Sequence, residues 1–150
     1  MDEVIGRFNS ACIRYLLIGG QALRLEGMPR FSMDWDIFIP PRDQGNIDKI
    51  NELMGEAFDV PLLSLGSRGE NFVQTYQTPW GILQFHLGGP GLPSFDEAEA
   101  RGVMNRTENG TKVHCLALQD LLESKRRADR PEDQADIRYL EVKLGILSAE

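Results

Sequence analysis

Asp34 and Asp36 are the side chains whose type and spacing in this chain most clearly suit chemistry. If both lie on a β-strand, they point to the same face of the sheet, because side-chain direction along a strand repeats every two residues. Two neighbouring carboxylates repel each other unless a cation lies between them. Oxygen ligands of this kind suit Mg²⁺, which keeps several waters and shares its other positions with substrate phosphates. The alternative is that the pair lies at a solvated strand edge and binds nothing.

A glycine pair, Gly19-Gly20, lies upstream of the two aspartates. It follows a short apolar run, residues 14–18, that suits a buried strand, and it precedes residues 21–26, whose pattern predicts a helix. At such a turn, small residues let backbone amides approach a phosphate, and the N-terminus of the helix favours negative charge. A tight turn without a ligand is the alternative. On the first interpretation, a phosphate site and a cation site meet at one edge of the sheet.

Gly19-Gly20 followed by Asp34-Trp35-Asp36-Ile37 resembles the first motif of the polymerase-beta-type nucleotidyltransferase superfamily. That motif is a hydrophobic residue, Gly-Gly or Gly-Ser, a spacer, and Asp-x-Asp before a hydrophobic residue. Residues 30–36 resemble the Arg-x-Ser/Thr-x-Asp-x-Asp form of its small bacterial members. Residues 118–125 and 130–137 resemble the C-terminal motifs of the AbiEii-like branch, in which a lysine on one helix is followed by Arg-x-x-Asp-x-x-Asp opening the next.

This resemblance implies a Mg²⁺-dependent enzyme that transfers a nucleotidyl group from a nucleoside triphosphate (NTP) to an acceptor of unknown identity. Asp34 and Asp36 would hold the metal and belong to the catalytic set, because metals clamp the attacking and leaving oxygens of an in-line displacement. The nucleotide-binding residues implied by the motifs are Gly19, Gly20, Gln21, Arg30, Ser32 and Lys125.

Lys125 has two interpretations. It lies on the leucine stripe of its predicted helix. Its ammonium therefore either reaches solvent along its own stem or contacts a buried partner such as a phosphate. The motif assigns it to the catalytic and nucleotide-binding sets. Arg130 and Asp133, which follow, are expected to form a local ion pair at the start of the last helix.

Catalytic relatives carry a third carboxylate on a strand beside the Asp-x-Asp strand. Here the matching strand is residues 82–87, and Gln84 occupies the catalytic position. An amide cannot accept the proton of an acceptor hydroxyl, and it is a poorer Mg²⁺ ligand than a carboxylate. His86 shares the face of Gln84 by the period of two, so it could be a base, a ligand or purely structural, and Glu70 could reach the site from a loop. The catalytic set is thus one carboxylate short.

Hydrophobic spacing predicts the elements that must position these residues. Early strand–helix–strand segments, later hairpins closed by residues 79–81 and 109–110, and C-terminal helices predict an α/β (α+β) fold. We expect a small mixed β-sheet with helices packed on it and a C-terminal helical pair over residues 118–146. The predicted helices are residues 1–12, 21–26, 43–58, 94–100, 118–128 and 131–145, and the predicted strands are residues 14–18, 32–39, 72–78, 82–87, 103–106 and 112–116.

Length and charge limit the classes of partner. A chain of 150 residues suits a single domain, residues 1–150. A net charge of −7 disfavours non-specific binding to nucleic acid, which depends on lysines and arginines that neutralise phosphates. The acidic N-terminus lacks the pattern of a signal peptide, and no apolar run is long enough to span a membrane. We therefore expect a cytoplasmic protein that does not bind membranes, and the family resemblance implies that it binds an NTP.

Two other functions stay open at this point. Gln84 favours a catalytically degenerate relative that keeps nucleotide or metal binding. The other function is a protein-interaction module of the toxin–antitoxin type. In that case the acidic surface and apolar residues expected to be exposed in the loop 88–95 would bind a basic protein partner.

Overall fold

The structure is a computed structural model, and it describes residues 1–148. The helices and strands occur in the order α1 (Asp2–Ser10), β1 (Leu16–Ile18), α2 (Gly19–Leu25), β2 (Asp34–Phe38), α3 (Gln44–Met54), β3 (Val73–Thr78), β4 (Gly81–His86), α4 (Phe95–Arg101), β5 (Val103–Arg106), β6 (Lys112–Cys115), α5 (Leu118–Ala128) and α6 (Gln134–Lys143). Short 3₁₀ turns, Gly55–Ala57 and Pro131–Asp133, follow α3 and precede α6.

The described strands form an open mixed sheet in the order β3-β4-β2-β1-β6-β5. Strand β2 runs antiparallel to β1 and parallel to β4, and β1 runs parallel to β6. The β3–β4 and β5–β6 pairs are the antiparallel hairpins predicted from the sequence. The predicted mixed sheet with helices packed on it is confirmed, and α5 and α6 pack together as the C-terminal pair. That residues 1–150 make one domain stays a prediction.

The pairing of β2 with β4 decides which side chains share the candidate site. Asp36 lies between Ile18 of β1 and Gln84 of β4, and Gln84 lies opposite Thr75 of β3. These residues form one row across the sheet. Because side chains alternate along a strand, Asp34 and His86 share the face of this row.

Burial follows the same alternation. Leu83 and Phe85 of β4 are at most 1% exposed, whereas Gln84 and His86 between and after them are half-buried. The site face of β4 is therefore open while its other face packs into the core. Other buried residues of this core cluster are Val4, Ile5, Phe8, Leu17, Ile37, Ile47, Ile50 and Tyr76.

The loop 88–95 differs from the sequence expectation. Phe95 is only 3% exposed, and its ring packs edge-on against Phe38 with the centroids 5.2 Å apart. The cause is local: the Ser94 hydroxyl accepts a hydrogen bond from the Glu97 amide and caps α4, which starts the helix at Phe95 with this ring directed inward. The prediction of an exposed apolar Phe95 in this loop is wrong.

Two boundaries also moved. Helix α2 begins at the glycine pair, because Ile18 in extended conformation serves as its N-cap and Gly19 turns the chain with a φ of +70°. The last predicted helix, residues 131–145, is divided into the turn Pro131–Asp133 and α6. No helix within residues 1–148 has the combined length and apolarity that crossing a bilayer requires.

Candidate functional site

A cleft of about 780 Å³ opens beside the Asp34–Asp36 face of the sheet. This volume lies within the range of about 300–1,000 Å³ that is common for small-molecule sites. Its walls come from distant parts of the chain: the start of α2, the loop 30–33, the ends of β4 and α5, and the turn before α6. The site residues predicted from the sequence that line it are Gly19, Gly20, Arg30, Ser32, Asp34, Asp36, Gln84 and Lys125.

The two aspartates lie on β2 and line the same cleft, but their surroundings differ. Oδ1 of Asp36 is 2.9 Å from Nε2 of His86, and both side chains are mostly shielded from solvent. Within residues 1–148, the Asp34 carboxylate receives no hydrogen bond and forms no ion pair. Asp36 is thus oriented by the protein, whereas Asp34 is available to a ligand.

Gly19 lies in direct contact with Asp36. A Cβ placed on Gly19 would lie 3.1 Å from Cγ of Asp36 and closer still to Oδ2. Its φ of +70° is also in the left-handed region that side chains other than glycine rarely adopt. Both steric space and backbone conformation therefore require glycine at this position.

Gly20 brings the same turn against the loop before β2. A Cβ on Gly20 would lie 2.7 Å from Oγ of Ser32 and 3.1 Å from Cζ of Arg30. The glycine pair, Ser32 and Arg30 thus form one continuous wall of the cleft.

Gln21 lies outside this wall. Its side chain is 5% exposed, donates to the backbone carbonyl of Ser32 at 2.9 Å and accepts from Nε of Arg24 at 2.7 Å. The amide of Gln21 therefore fastens the loop before β2 to helix α2, and the structure places it outside the predicted phosphate cradle.

The third-carboxylate position is occupied by an amide with its own partner. Gln84 lies directly alongside Asp36, and its Nε2 donates to Oγ1 of Thr75 at 3.0 Å. Glu70 also stays within its own loop, where Oε2 accepts from the backbone amide of Arg68 at 2.9 Å. Neither side chain supplies a carboxylate to the Asp34–Asp36 pair.

An ionic cluster lines the cleft next to the glycine wall, and Arg30 belongs to both. Lys125 donates to Asp133 at 3.0 Å and lies 3.1 Å from Asp136, and Arg130 pairs with Asp133 at 2.8 Å as predicted. Arg30 binds both oxygens of Asp136, at 2.6 and 2.7 Å. Asp133 and Asp136 are 1% and 4% exposed, so these buried carboxylates depend on their cations.

The cations of the cluster lower the pKa of one of its buried carboxyls, that of Asp133. Burial by itself would raise the pKa of the Asp133 carboxyl, but hydrogen bonds from Arg130 and Lys125 outweigh it and hold the pKa below its ordinary value. The same contact raises the pKa of the Arg130 guanidinium. Asp133 therefore stays ionised, and it keeps Lys125 and Arg130 together at the edge of the cleft.

The donor set of the cleft is small and would need further oxygen ligands, such as those of a phosphate, to hold a metal ion. Among residues 1–148, no three or more His, Cys, Asp or Glu side chains are arranged to hold a metal ion by themselves. Asp34 and Asp36 supply hard oxygen donors beside a glycine turn that leaves room for a phosphate. This fits Mg²⁺, which is commonly bound by one or two carboxylates together with substrate phosphates.

Sequence reasoning missed the contacts made between distant segments. It placed His86 on the site face but did not predict its contact with Asp36, and it did not predict the Arg30–Asp136 pair, whose members are 106 residues apart. The hydrophobic pattern carried no signal for either. The Thr75–Gln84 contact, in contrast, could have been found from the hairpin register.

Comparison with known proteins gives structural neighbours only. No protein-family profile matches the chain, and no curated protein matches it in sequence. A Thermotoga maritima protein provisionally named a nucleotidyltransferase is 13% identical, with a TM-score of 0.57 over 94% of this chain and 89% of that one. ANT(2″)-Ia in complex with adenylyl-2″-tobramycin is 17% identical, with a TM-score of 0.59 over 95% and 86%. The lincomycin-bound lincosamide adenylyltransferase LnuA is 18% identical, with a TM-score of 0.58 over 93% and 91%.

At these identities the likeness shows the fold alone. It confirms the predicted superfamily fold, and it does not distinguish the AbiEii-like branch from other branches.

Gly19→Ala is expected to destabilise the protein by roughly 1–3 kcal/mol, because the new Cβ meets Asp36 in a backbone conformation that disfavours it. Urea unfolding followed by circular dichroism measures this. Gly6→Ala is the matched control: it lies inside α1, its Cβ meets no atom within 4 Å, and it should stabilise the helix by roughly 0.5–1 kcal/mol. Equal free energies of unfolding for Gly19→Ala and wild type would contradict the close contact.

The lowered pKa of Asp133 predicts that the free energy of unfolding decreases at acidic pH. Because its folded pKa is lowered, its contribution is fully present above its ordinary pKa of about 3.8 and is lost as the pH falls below that value. Urea unfolding between pH 7 and pH 2.5 should therefore show a smaller acid loss in Asp133→Asn than in wild type. Parallel profiles for the two proteins would show that the carboxylate does not act this way.

Proposed function

Starting from the nucleotidyltransferase fold that this chain has, we propose that it transfers a nucleotidyl group from an NTP to a hydroxyl acceptor. The observation that carries this proposal is the contact between the glycine turn and the carboxylate pair, in which Gly19 lies directly against Asp36. A phosphate held at that turn lies beside two oxygen donors that suit a divalent cation.

The triphosphate is assigned to the wall made by the glycine pair, Ser32, Arg30 and Lys125, all of which line the cleft. Lys125 has three N–H donors; it donates one to Asp133, and its ammonium also lies 3.1 Å from Asp136. The planar guanidinium of Arg30 has five N–H donors, and its Nη1 donates to Asp136. Each cation is thus fixed in place by a buried carboxylate and keeps donors for a phosphate oxygen.

Asp34 and Asp36 would hold Mg²⁺. When bound, this ion neutralises developing negative charge on the phosphate oxygens and on the attacking and leaving oxygens. The chain's own contribution is to fix Asp36 between Gly19 and His86 and to leave Asp34 free within the described structure.

Gln84 limits the proposal. Its amide cannot accept the proton of the acceptor hydroxyl, so general-base assistance from this position is absent. We infer a slow enzyme rather than an inert relative, because the remaining parts of the site are assembled and positioning and electrostatic terms do not depend on residue 84.

The acceptor is proposed to be a small hydroxyl compound without negative charge. Within residues 1–148 only three lysine or arginine side chains line the cleft. Two of them are assigned to the triphosphate and the third pairs with Asp133, which leaves no further cation there for a nucleic-acid backbone. The rim carries exposed apolar side chains: Phe31 is 79%, Met33 65% and Phe72 52% exposed. Two structural neighbours are known with antibiotic ligands, ANT(2″)-Ia with adenylyl-2″-tobramycin and LnuA with lincomycin.

Thermal melting with Mg²⁺ and each of the four NTPs tests binding. At about one hundred times its Kd, the correct NTP should raise the Tm by roughly 5–10 °C, because a ligand that binds only the folded state stabilises it. Asp36→Ala should abolish the shift, whereas Asp48→Ala, an exposed acid on α3 outside the cleft, should keep it. No shift with any NTP in wild type would remove the proposed function.

Transfer of label from an α-³²P-labelled NTP tests catalysis. Gln84→Asp should raise kcat by about 10²-fold or more if a base at this position is what the site lacks. Gln77→Asp is the matched control, since Gln77 is an exposed amide on the neighbouring strand.

In the same assay an RNA oligonucleotide with a free 3′-hydroxyl should accept no label. Labelled RNA would overturn the proposed acceptor class, and activity appearing only in Gln84→Asp would mean that the natural chain is degenerate.

A further inference from the structure

The two carboxylates of the candidate site are not equivalent, and the difference comes from His86. Asp36 is contacted on both oxygens: Oδ1 lies 2.9 Å from Nε2 of His86, and Oδ2 lies over the bare Cα of Gly19. The Asp34 side chain, two residues earlier on the same strand, has neither kind of contact within the described residues. Only Asp36 has its carboxylate plane set by the protein.

The chemistry of the contact fixes which group donates. A carboxylate can only accept hydrogen bonds, so Nε2 of His86 carries the hydrogen and donates it to Oδ1. A ring nitrogen that carries a hydrogen has no lone pair to offer a metal. Nε2 of His86 in this arrangement therefore binds Asp36 rather than the ion.

The sheet register and the partner of Gln84 explain why His86, and not Gln84, donates a hydrogen bond to Asp36. Gln84 lies level with Asp36 in the parallel pair β2–β4, but its amide is turned toward Thr75 on β3. His86 is two residues further along the same face, level with Phe38, and its Nε2 reaches back to Asp36. The neighbour nearest in register is engaged elsewhere, and the imidazole occupies the free side of the carboxylate.

We propose that His86 is a positioning residue that holds Asp36 in the orientation needed to bind the metal–triphosphate complex. This inference rests on the proposed function, because it assigns Asp36 to the metal. Hydrogen-bond partners of metal ligands fix the orientation of the ligand, and removing them typically costs about 10–100-fold in metal affinity. The His86 and Asp36 side chains are only 19% and 18% exposed. In such a shielded position, water would not fully replace the hydrogen bond that the ring donates.

The test uses Mn²⁺ as a paramagnetic probe together with inorganic tripolyphosphate, which makes it independent of the base specificity. Free Mn²⁺ is measured by electron paramagnetic resonance in a titration of the full chain. His86→Ala should raise the Kd for Mn²⁺ about 10–100-fold. His86→Gln, which keeps an N–H donor, should recover most of the affinity. The matched control is His114→Ala, which removes the other histidine of the chain from an exposed position on β6.

A second measurement separates positioning from direct ligation. Electron spin echo modulation of Mn²⁺ bound to wild type reports a nitrogen in the first coordination shell. We expect no such nitrogen coupling, since Nε2 is engaged with Asp36. This measurement needs no variant, so it decides the question even if His86→Ala does not fold. A coupling in wild type would make His86 a ligand and overturn the positioning role.

The outcomes separate this inference from the proposed function. If wild type binds Mn²⁺, Asp36→Ala does not, and His86→Ala binds as tightly as wild type, the metal site stands and the positioning role is wrong. If His86→Ala and His86→Gln lose affinity equally, the donor is not what matters and the role is also wrong. If wild type binds no Mn²⁺ with or without tripolyphosphate, the proposed function falls and takes this inference with it.

Discussion

The whole site depends on the absence of a side chain at Gly19. Ile18 pairs with Asp36 across β1 and β2, so the chain must leave β1 and turn into α2 directly beside that carboxylate. A Cβ would take the space that the carboxylate occupies, and the turn itself needs a positive φ. Glycine meets both requirements, because it has no Cβ and adopts a positive φ without strain. A backbone that can face a phosphate and a carboxylate that can face a cation thereby come into contact, which is the arrangement that phosphoryl chemistry requires.

The ionic cluster serves the site more than the stability of the fold. Buried ion pairs recover little net free energy, because the charges lose their hydration. Their value here is geometric: the Arg30–Asp136 pair ties the loop before β2 to α6, and Lys125 ties α5 to the same helix. Distant segments of the chain that line the cleft are thus held together by charge. The cations keep fixed positions without a ligand, so less ordering entropy is lost when one binds.

The sequence was informative where spacing or a local turn determined the outcome. The period of two placed Asp34 and Asp36 on one face, and the hairpin at Thr78–Gly81 fixes the pairing of Thr75 with Gln84 by counting. The parallel pairing of β2 with β4 has no such turn, so nothing local specified that Asp36 lies beside Gln84. Gln21 shows the opposite case. It lies in the motif, but its side-chain amide donates to the Ser32 carbonyl and does not line the cleft. This contact depends on how α2 packs against the loop before β2, which the sequence does not show.

Charge balance links the site to its proposed substrate. The residues that line the cleft include more carboxylates than cations, since Asp34 and Asp36 add to the acids of the cluster while each cation there is already paired. A free triphosphate would therefore meet uncompensated negative charge at the carboxylate pair, and burial in the cleft would increase the repulsion. A triphosphate that carries a divalent cation meets the same carboxylates as ligands. On the proposed function, the acidic pair thus works as a selection device: it repels the free nucleotide and binds the metal complex, so the species that enters the cleft is already the reactive one.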